Sequence, residues 1–460
     1  MQELMKKPGR RNDMKIKTDR NRDSFRSHWG FVIACIGSAV GMGNIWMFPA
    51  RVSKYGGGSF LIPYFIFVIL IGYSGVIGEM AFGRSVHSGP VGAFGAACAS
   101  RGEKWRKTGE FLGCIPMLGA LALAIGYSVV VGWIIKYMVG TFTGATLAPE
   151  NVEGFGEAFG SMASAYGNNG WQIVALIVCF VIMAFGISSG VEKAAKIMMP
   201  LFFLMFLGLA VYLVFQPGAM EGYKYIFRIE KSAILNPMTW VYALGQAFFS
   251  LSLAGNGTII YGSYLKEDAD IVDSAKKVAF FDTTAAILAA LVIIPAMATA
   301  GQELTSGGPG LMFVFIPHIF KGIPGGSILA VIFFIAVFFA GITSLVNLFE
   351  APISTLQDYF HLKRPLAVGI IAVIGGVVSI MIQGIVSGWM DFVSIYICPL
   401  GAGMAGIMFF WIFKNGAARK AIQTGRSKPV GRWLEPVTKY VFCGLTVIVF
   451  ILGIIFHGIG

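Results

Sequence analysis

Long apolar stretches, separated by short polar or charged segments, fill the chain from about Trp29 to the C-terminus. An α-helix needs about 20 such residues to cross the hydrocarbon core of a bilayer. The pattern predicts an all-α integral membrane protein with about eleven transmembrane helices. The predicted spans are 30–54, 60–83, 110–139, 170–187, 195–215, 239–263, 277–300, 325–357, 366–386, 391–413 and 436–457.

The composition supports a lipid environment. Of the 460 residues, 56% are hydrophobic and only 13% are charged, whereas about a quarter of the residues in soluble domains are charged. No separate soluble domain is predicted. The predicted divisions are a cytoplasmic N-terminal tail (1–28), a core of ten helices (29–414), and a cytoplasmic loop followed by the eleventh helix (415–460).

The basic residues lie in alternate loops, as the positive-inside rule predicts for a multi-pass protein. The net charge of +12 therefore indicates topology and not a nucleic-acid partner. The basic N-terminal tail has no apolar core, so we expect it to be cytoplasmic and not a cleaved signal peptide. The 141–170 segment contains three glutamates and no Lys or Arg, so we expect it outside the cell. An odd number of helices also places the C-terminus outside the cell. The protein itself is expected in the inner (plasma) membrane.

Two predicted helices contain glycine-rich interruptions. The first has the sequence Gly-Ser-Ala-Val-Gly-Met-Gly-Asn at 37–44, and the sixth has Ser-Leu-Ser-Leu-Ala-Gly-Asn-Gly at 250–257. Glycine weakens a helix, and unpaired backbone groups at membrane depth are tolerated only where they line a cavity or are buried in protein. Breaks five helices apart suggest a five-plus-five inverted repeat with a binding site near the midplane. The alternative is that the glycines only permit close helix packing.

Acidic residues within or beside the predicted spans are further candidates, because a charge in the bilayer is costly unless it is paired or functional. Asp282 is the deepest and implies a bound cation, whereas Asp358 and Asp391 lie near opposite faces, as gates or solvated helix ends would. The two remaining acidic candidates are Glu79 and Glu350. The six cysteines and five histidines are dispersed, so neither a metal cluster nor an enzyme is predicted.

Five motifs resemble those of the neurotransmitter:sodium symporter family, and in particular a bacterial eleven-helix member similar to the bacterial leucine transporter. The resemblance runs from about Arg22 to the last helix. It implies a sodium-coupled transporter with a five-plus-five inverted repeat. The motifs are GSAVGMGNIWMFP (37–49), GGGSFLIPY (56–64), GVEK (190–193), GQAFFSLS (245–252) and FAGITS (339–344).

The resemblance implies two sodium ions, held by oxygen ligands as a hard cation requires. The sodium site that shares the substrate carboxylate would use Ala39, Asn44, Ser250 and Asp282. The second sodium site would use Gly37, Val40, Ala340, Thr343 and Ser344.

Chloride is not expected as a cofactor. Chloride-dependent relatives hold the anion with a Tyr, a Gln and two Ser positions. The matching residues here are Tyr64, Gln246, Ser250 and Ala286, and Ala286 has no hydroxyl. Asp282 stands where the leucine transporter has an amide, and we predict that it supplies the negative charge instead.

The resemblance also implies an amino-acid substrate, because Gly41 stands where monoamine carriers have an Asp. The substrate-binding residues would be Ala39, Met42, Gly43, Leu123, Tyr127, Phe249, Ser250, Ser252, Gly255, Ser344 and Leu348. This pocket is mostly apolar, and it is roomy because Gly255 replaces a large aromatic residue. Asn256 beside it could instead hydrogen-bond a polar substrate.

Two gates are implied. The inner gate would contain Arg22, Phe25, Tyr264 and Asp358. In the outer gate, Met47 replaces the family's arginine although its partner Asp391 is present. We predict that Arg51, one turn further along, reaches Asp391 directly or through water. The alternative is a lipid-facing or loop-solvated Arg51.

These features predict a sodium-coupled secondary active symporter that imports a small hydrophobic amino acid by alternating access. The alternatives are a sodium-dependent sensor or channel on the same fold, or a symporter for a polar or non-standard amino acid. The expected partners are the substrate and the lipid bilayer, and the chain is expected to be a monomer or homodimer.

Overall fold

The computed structural model describes residues 23–253, 256–301, 307–414 and 416–459, and within these ranges the regular structure is entirely helical. Eight helices are long and apolar enough to cross a membrane, and the bent halves of the first span make a ninth. A shorter apolar helix and a second broken helix complete eleven spans in the described ranges. In chain order they are α1 (His28–Ala39 and Gly43–Lys54), α2 (Gly58–Val86), α3 (Glu103–Thr143), α4 (Asn169–Ala184), α5 (Ile187–Val214), α6 (Pro237–Ser250 and Gly257–Ser263), α7 (Ile271–Thr299), α8 (Gly326–Phe360), α9 (Arg364–Met381), α10 (Gln383–Ile412) and α11 (Leu434–Ile455).

The order of the predicted spans is confirmed, but several helices begin earlier than predicted. The apolar run of α7 suggested a start at residue 277, yet the helix begins at Ile271 because the Asp270 side chain accepts hydrogen bonds from the N–H groups of Val272 and Asp273. Such caps extend a helix into polar sequence, where hydropathy does not detect it. Short helices outside the spans include Pro90–Ala99, Val152–Ala163, Ala219–Phe227, Leu311–Gly322 and Ala417–Gln423.

Both predicted helix breaks are present. The two halves of α1 meet at 53°, and Val40 between them adopts an extended conformation with ψ of 109°. The first half of α6 ends at Ser250, and the second half begins at Gly257. Ser252 and Asn256, both within this gap, have positive φ values of 58° and 51°. The glycine-rich segments therefore interrupt the helices and do more than permit close packing.

The broken helices lie in the interior of the bundle. The first half of α1 packs against α5, α7 and α8, and both halves of α6 pack against α2, while α8 packs along α3. Large apolar side chains are exposed on outer helices, for example Leu204 on α5 and Val373 on α9. An apolar exterior around a packed centre is the arrangement expected of a protein in lipid.

Candidate functional site

The two helix breaks lie side by side. The Ser252 hydroxyl donates a 2.8 Å hydrogen bond to the Ser38 carbonyl, and the Asn44 side-chain amide donates one of 3.1 Å to the Ser250 hydroxyl. These contacts join residues more than 200 positions apart. Non-helical backbone from two helices is thus concentrated at one point, as in a site made from helix ends.

Three residues of the first implied sodium site form one buried cluster. Asn44 donates to the Asp282 carboxylate at 2.8 Å, and Ser250 donates to its other oxygen at 2.7 Å. Asn44 also accepts a 3.0 Å hydrogen bond from the Gly41 N–H, which fixes the break in α1. Asp282 is fully buried, and among the described residues no Lys or Arg forms an ion pair with it. An ionised carboxylate in such a place requires a cation, so the donor set fits sodium.

The second implied sodium site is also assembled from oxygens. The Ser344 hydroxyl lies 3.3 Å from the Gly37 carbonyl oxygen and 3.1 Å from that of Val40. The Thr343 hydroxyl lies 3.2 Å from the Ala340 carbonyl oxygen within α8. α8 thus meets the break in α1 through Thr343 and Ser344, which lie beside Gly37 and Val40, while Ala340 lies one turn earlier in α8. Five oxygen ligands and no nitrogen suit a hard cation.

Two of the four residues at the chloride position of relatives form hydrogen bonds within the chain, whereas the Tyr64 hydroxyl has no partner among the described residues. The Gln246 amide donates to the Gly43 carbonyl at 3.0 Å, and the Ser250 hydroxyl donates to Asp282. Tyr64 and Ala286 are both fully buried. Two of the polar groups that would hold an anion thus already have acceptors in the protein.

A cavity of about 60 Å³ adjoins the two ion sites. Ten of the eleven predicted substrate residues line it, and Gly255 lies outside the described residues. The Tyr127 hydroxyl accepts a 3.1 Å hydrogen bond from the Met42 N–H, so α3 is held against the break in α1. The ten lining residues are Ala39, Met42, Gly43, Leu123, Tyr127, Phe249, Ser250, Ser252, Ser344 and Leu348.

The same cavity has polar lining residues that the sequence analysis did not assign to the substrate. Ser38 and Asn347 line it together with Gly41 and Asn44. Asn347, one turn after Ser344, donates a hydrogen bond of 3.4 Å to the Gly257 carbonyl and so joins α8 to α6. The sequence did contain a signal for Asn347: its side-chain amide lies within the apolar run of α8, and polar groups inside a membrane helix usually have a function.

A larger cavity of about 510 Å³ lies beyond the small one. Four residues line both cavities and so separate them: Met42, Gly43, Tyr127 and Phe249. Met47, Arg51 and Asp391 all line the larger cavity, on the side where the second half of α1 ends.

Arg51 contacts a different partner from the one predicted. Its guanidinium donates to the Gln246 side-chain carbonyl at 3.0 Å and lies 5.5 Å from the centre of the Tyr242 ring. Within the described part of the chain it forms no direct ion pair with Asp391. Both charged residues line the same cavity, and Gln246 is the acceptor within hydrogen-bond distance of Arg51. Arg51 is therefore neither lipid-facing nor solvated in a loop.

The opposite end of the α1 break is closed by packing. Phe25 is 2% exposed and makes edge contacts with Phe31 and Tyr261 at 5.4 and 5.6 Å. Asp358 accepts a 2.8 Å hydrogen bond from Ser88, while Arg22, its implied partner, lies outside the described residues.

A buried ion pair near this end was not predicted. Arg364 donates to both oxygens of Glu350 at 2.8 Å, and its third nitrogen donates to the Met183 carbonyl. The Tyr264 hydroxyl donates to Glu350 at 2.7 Å, so Tyr264 contacts this pair in addition to any role beside Asp358. The predicted spans left Arg364 in the loop between the eighth and ninth helices. The sequence does not reveal that its side chain folds back onto α8.

A carboxylate on α5 holds the start of α1. Glu192 accepts hydrogen bonds from the Arg26 N–H at 2.7 Å and the Ser27 hydroxyl at 3.1 Å, and it pairs with Lys196 at 2.6 Å. An anion is favourable beside the N–H groups that begin a helix. The GVEK motif thus serves to anchor the first half of α1.

Comparisons with known proteins agree with this architecture. The Sodium:neurotransmitter symporter family matches residues 22–153 and 156–457. An uncharacterized sodium-dependent transporter of Methanocaldococcus jannaschii, MJ1319, is 30% identical over 440 residues, 90% of this chain and 86% of that protein. YhdH, an uncharacterized sodium-dependent transporter of Bacillus subtilis, is 32% identical over 336 residues, 73% of this chain and 72% of that protein.

A solved structure is also similar. The crystal structure of MhsT in complex with L-phenylalanine has a TM-score of 0.81 and 31% sequence identity, and it covers 94% of this chain and 99% of that one. The family and these relatives are transporters and not enzymes. Together with the apolar spans and the broken helices, these similarities identify the chain as a multi-pass, sodium-dependent transporter that belongs to the sodium:neurotransmitter symporter family.

Proposed function

We propose that the chain is a sodium-coupled symporter that imports an amino acid without chloride. The observation that carries this proposal is the small cavity between the two helix breaks, which adjoins both clusters of oxygen ligands. The phenylalanine in the MhsT complex supports an amino acid as the ligand class. The chain would lie in the plasma membrane with its N-terminus in the cytoplasm, as its loop charges indicate.

The two ends of an amino acid would bind to the two broken helices. Its carboxylate would accept hydrogen bonds from the Met42 and Gly43 N–H groups and the Tyr127 hydroxyl. Its ammonium group would donate to the carbonyls of Ala39, Phe249 and Ser250 and to the Ser252 hydroxyl. N–H groups at a helix start favour anions, and carbonyls at a helix end favour cations.

Sodium would be coupled to the substrate through shared ligands. The substrate carboxylate would complete the shell of the ion held by Ala39, Asn44, Ser250 and Asp282. The second ion, at Gly37, Val40, Ala340, Thr343 and Ser344, would join α1 to α8. Because ions and substrate stabilise the same arrangement of α1, each raises the affinity of the others. A sodium gradient then drives accumulation.

Transport would proceed by alternating access. In the described arrangement the large cavity leads to the site from one side, while Phe25 and its neighbours pack against the other. Closing the large cavity would bring Arg51 from Gln246 to Asp391, and opening the inner side would release Phe25, Tyr264 and the Arg22–Asp358 pair.

Arg51 can be tested by charge exchange. We expect Arg51→Ala to lower uptake about tenfold, because an unpaired Asp391 in the closed cavity costs more than about 1 kcal/mol. The Arg51→Asp, Asp391→Arg double variant should recover part of the activity. Lys54→Ala is the matched control, since Lys54 lines the same cavity. Unchanged uptake in Arg51→Ala would remove Arg51 from the gate.

The central experiment is reconstitution into liposomes with an imposed sodium gradient. We expect accumulation of a radiolabelled amino acid with sodium and none with potassium. A prior screen of the twenty amino acids by thermal stabilisation of the purified chain, in sodium and in potassium, would choose the substrate. Stabilisation without accumulation would indicate a sensor and refute the symporter proposal.

A further inference from the structure

Asn256 is an anomaly in the broken segment of α6. The residue is 1% exposed, and neither its side-chain oxygen nor its side-chain nitrogen has a hydrogen-bond partner among the described residues. Burying an unsatisfied polar group costs about 1 to 3 kcal/mol, and this side chain has two. Such a group in a membrane core is expected to pair with something that arrives from outside the chain.

Asn256 lies beside the substrate cavity, next to residues that line it and not among them. Asn256 immediately precedes Gly257, where an added β-carbon would lie 2.1 Å from the Asn347 side-chain oxygen and 3.2 Å from the Ser38 hydroxyl oxygen. Both of those residues line the cavity. The helix break thus brings Asn256 next to the cavity wall.

The neighbours of the amide nitrogen give its depth. A β-carbon added to Gly401 on α10 would lie 3.2 Å from the Asn256 nitrogen and 2.9 Å from the Pro116 β-carbon on α3. Cys398, one helical turn before Gly401, packs with Leu123 and Leu348 of the cavity wall. The amide nitrogen therefore lies beside Gly401, about one turn of α10, roughly 5 Å along its axis, from the level at which Cys398 contacts the apolar wall.

We propose that Asn256 is a specificity-determining residue that forms the polar end of the substrate pocket. The pocket then has three zones: backbone and hydroxyl groups for the amino-acid head, the apolar wall of Leu123, Phe249 and Leu348, and an amide at the far end. The substrate that fits has an apolar ring with a hydrogen-bonding group at its tip. We infer that the chain takes an aromatic amino acid of this kind, tyrosine or tryptophan, in preference to phenylalanine or leucine.

The chemistry of the amide supports this class. The phenol hydroxyl of tyrosine is both donor and acceptor, and the indole N–H of tryptophan is a donor. Either can pair with the side-chain oxygen of Asn256, whereas phenylalanine and leucine leave both polar atoms unpaired. A site built to hydrogen-bond a substrate group discriminates strongly against an analogue that lacks it. One unsatisfied polar group of 1 to 3 kcal/mol corresponds to about 5- to 150-fold in affinity.

This inference rests on the proposed function, and the experiment separates the two. The full chain in liposomes is assayed for sodium-dependent uptake of radiolabelled tyrosine, tryptophan, phenylalanine and leucine, and affinities are compared by competition. We expect tyrosine or tryptophan to bind at least about fivefold more tightly than phenylalanine. Equal affinity for phenylalanine, with sodium-dependent uptake intact, overturns the role of Asn256 and leaves the symporter standing. Failure of sodium-dependent uptake for every amino acid refutes the symporter itself.

The variant is Asn256→Gly, because glycine tolerates the positive φ of 51° at this position. We expect this variant to lose the preference for tyrosine and tryptophan while its affinity for phenylalanine is kept. His361→Gly is the matched control, since it replaces another non-glycine residue with positive φ, at the exposed end of α8.

Thermal stability helps to distinguish a substrate-binding role of Asn256 from a structural role. Without substrate, Asn256→Gly removes two unsatisfied polar atoms, so its unfolding temperature should not fall below that of His361→Gly. An equal loss of affinity for all four amino acids would instead mark Asn256 as structural and overturn the proposal. If the variant does not fold, the selectivity of the unmodified chain decides the question.

Discussion

Asp282→Asn is the change that tests the ion chemistry most directly. It keeps the shape of the side chain and removes one charge from the cluster with Asn44 and Ser250. Of the two hydrogen bonds to the carboxylate, of 2.8 and 2.7 Å, one is kept by the amide oxygen, and the amide nitrogen faces the other donor where an oxygen stood. We expect the folded structure to persist and the affinity for sodium to fall.

The magnitude follows from the geometry. A sodium ion bound among these side chains lies within about 4 Å of the Asp282 charge, where two unit charges attract by about 4 kcal/mol at an effective dielectric constant of 20. The amide oxygen retains part of this attraction, so we expect a loss of about 1.4 to 4 kcal/mol. That loss corresponds to an increase of about ten- to a thousandfold in the half-saturating sodium concentration.

The assay is uptake into liposomes as a function of sodium, with chloride or gluconate as the anion. The unmodified chain should give the same curve in both. Adding Ala286→Ser to Asp282→Asn restores a hydroxyl at the anion position, and we expect uptake by this double variant to depend on chloride. Glu79→Gln is the matched control, because Glu79 is also a buried carboxyl, held by Thr258 on α6.

Two results would refute this reasoning. One is an unchanged sodium dependence in Asp282→Asn, which would mean that the carboxylate does not interact with the ion. The other is a loss of uptake in gluconate by the unmodified chain, which would show that Asp282 does not replace chloride.

Three further changes have definite expected outcomes. Ser344→Ala removes the hydroxyl that bridges α8 to the α1 break, and sodium titrations of thermal stability should show affinity reduced by about 1.5 to 3 kcal/mol, or about 10- to 150-fold. Gly41→Ala places a methyl group 2.9 Å from the Tyr127 hydroxyl, so this hydroxyl must move away from the substrate carboxylate. Equilibrium binding of the amino acid should therefore weaken at least about tenfold, while the unfolding temperature changes little. Equal binding by the variant would contradict the assigned carboxylate site. Glu350→Gln removes the bidentate anion of buried Arg364 and leaves only the partly exposed Asp23, 3.9 Å away. It should destabilise the fold by up to about 3 to 5 kcal/mol, seen as a lower unfolding temperature, whereas adding Arg364→Met should recover part of the loss.

The sequence alone was sufficient to predict the membrane class, the order of the eleven spans and the two broken helices. Hydropathy and glycine content are local properties, and a break at membrane depth has few physical explanations. The deep position of Asp282 likewise indicated a bound cation. The assignment of individual ligands needed more than local pattern, because it came from the resemblance of five motifs to a family.

The tertiary structure decided which distant residues meet. Asn44 and Asp282 are 238 positions apart, and Arg364 lies against Glu350 because the chain folds back after α8. Nothing in the local sequence pairs Arg51 with Gln246, and nothing in it shows that Asn256 is buried without a hydrogen-bond partner among the described residues. Contacts of this kind depend on how the helices pack, which hydrophobic pattern alone does not specify. The sequence therefore determined where the helices break, and only the packing of α1, α3, α6, α8 and α10 determined what those breaks can bind.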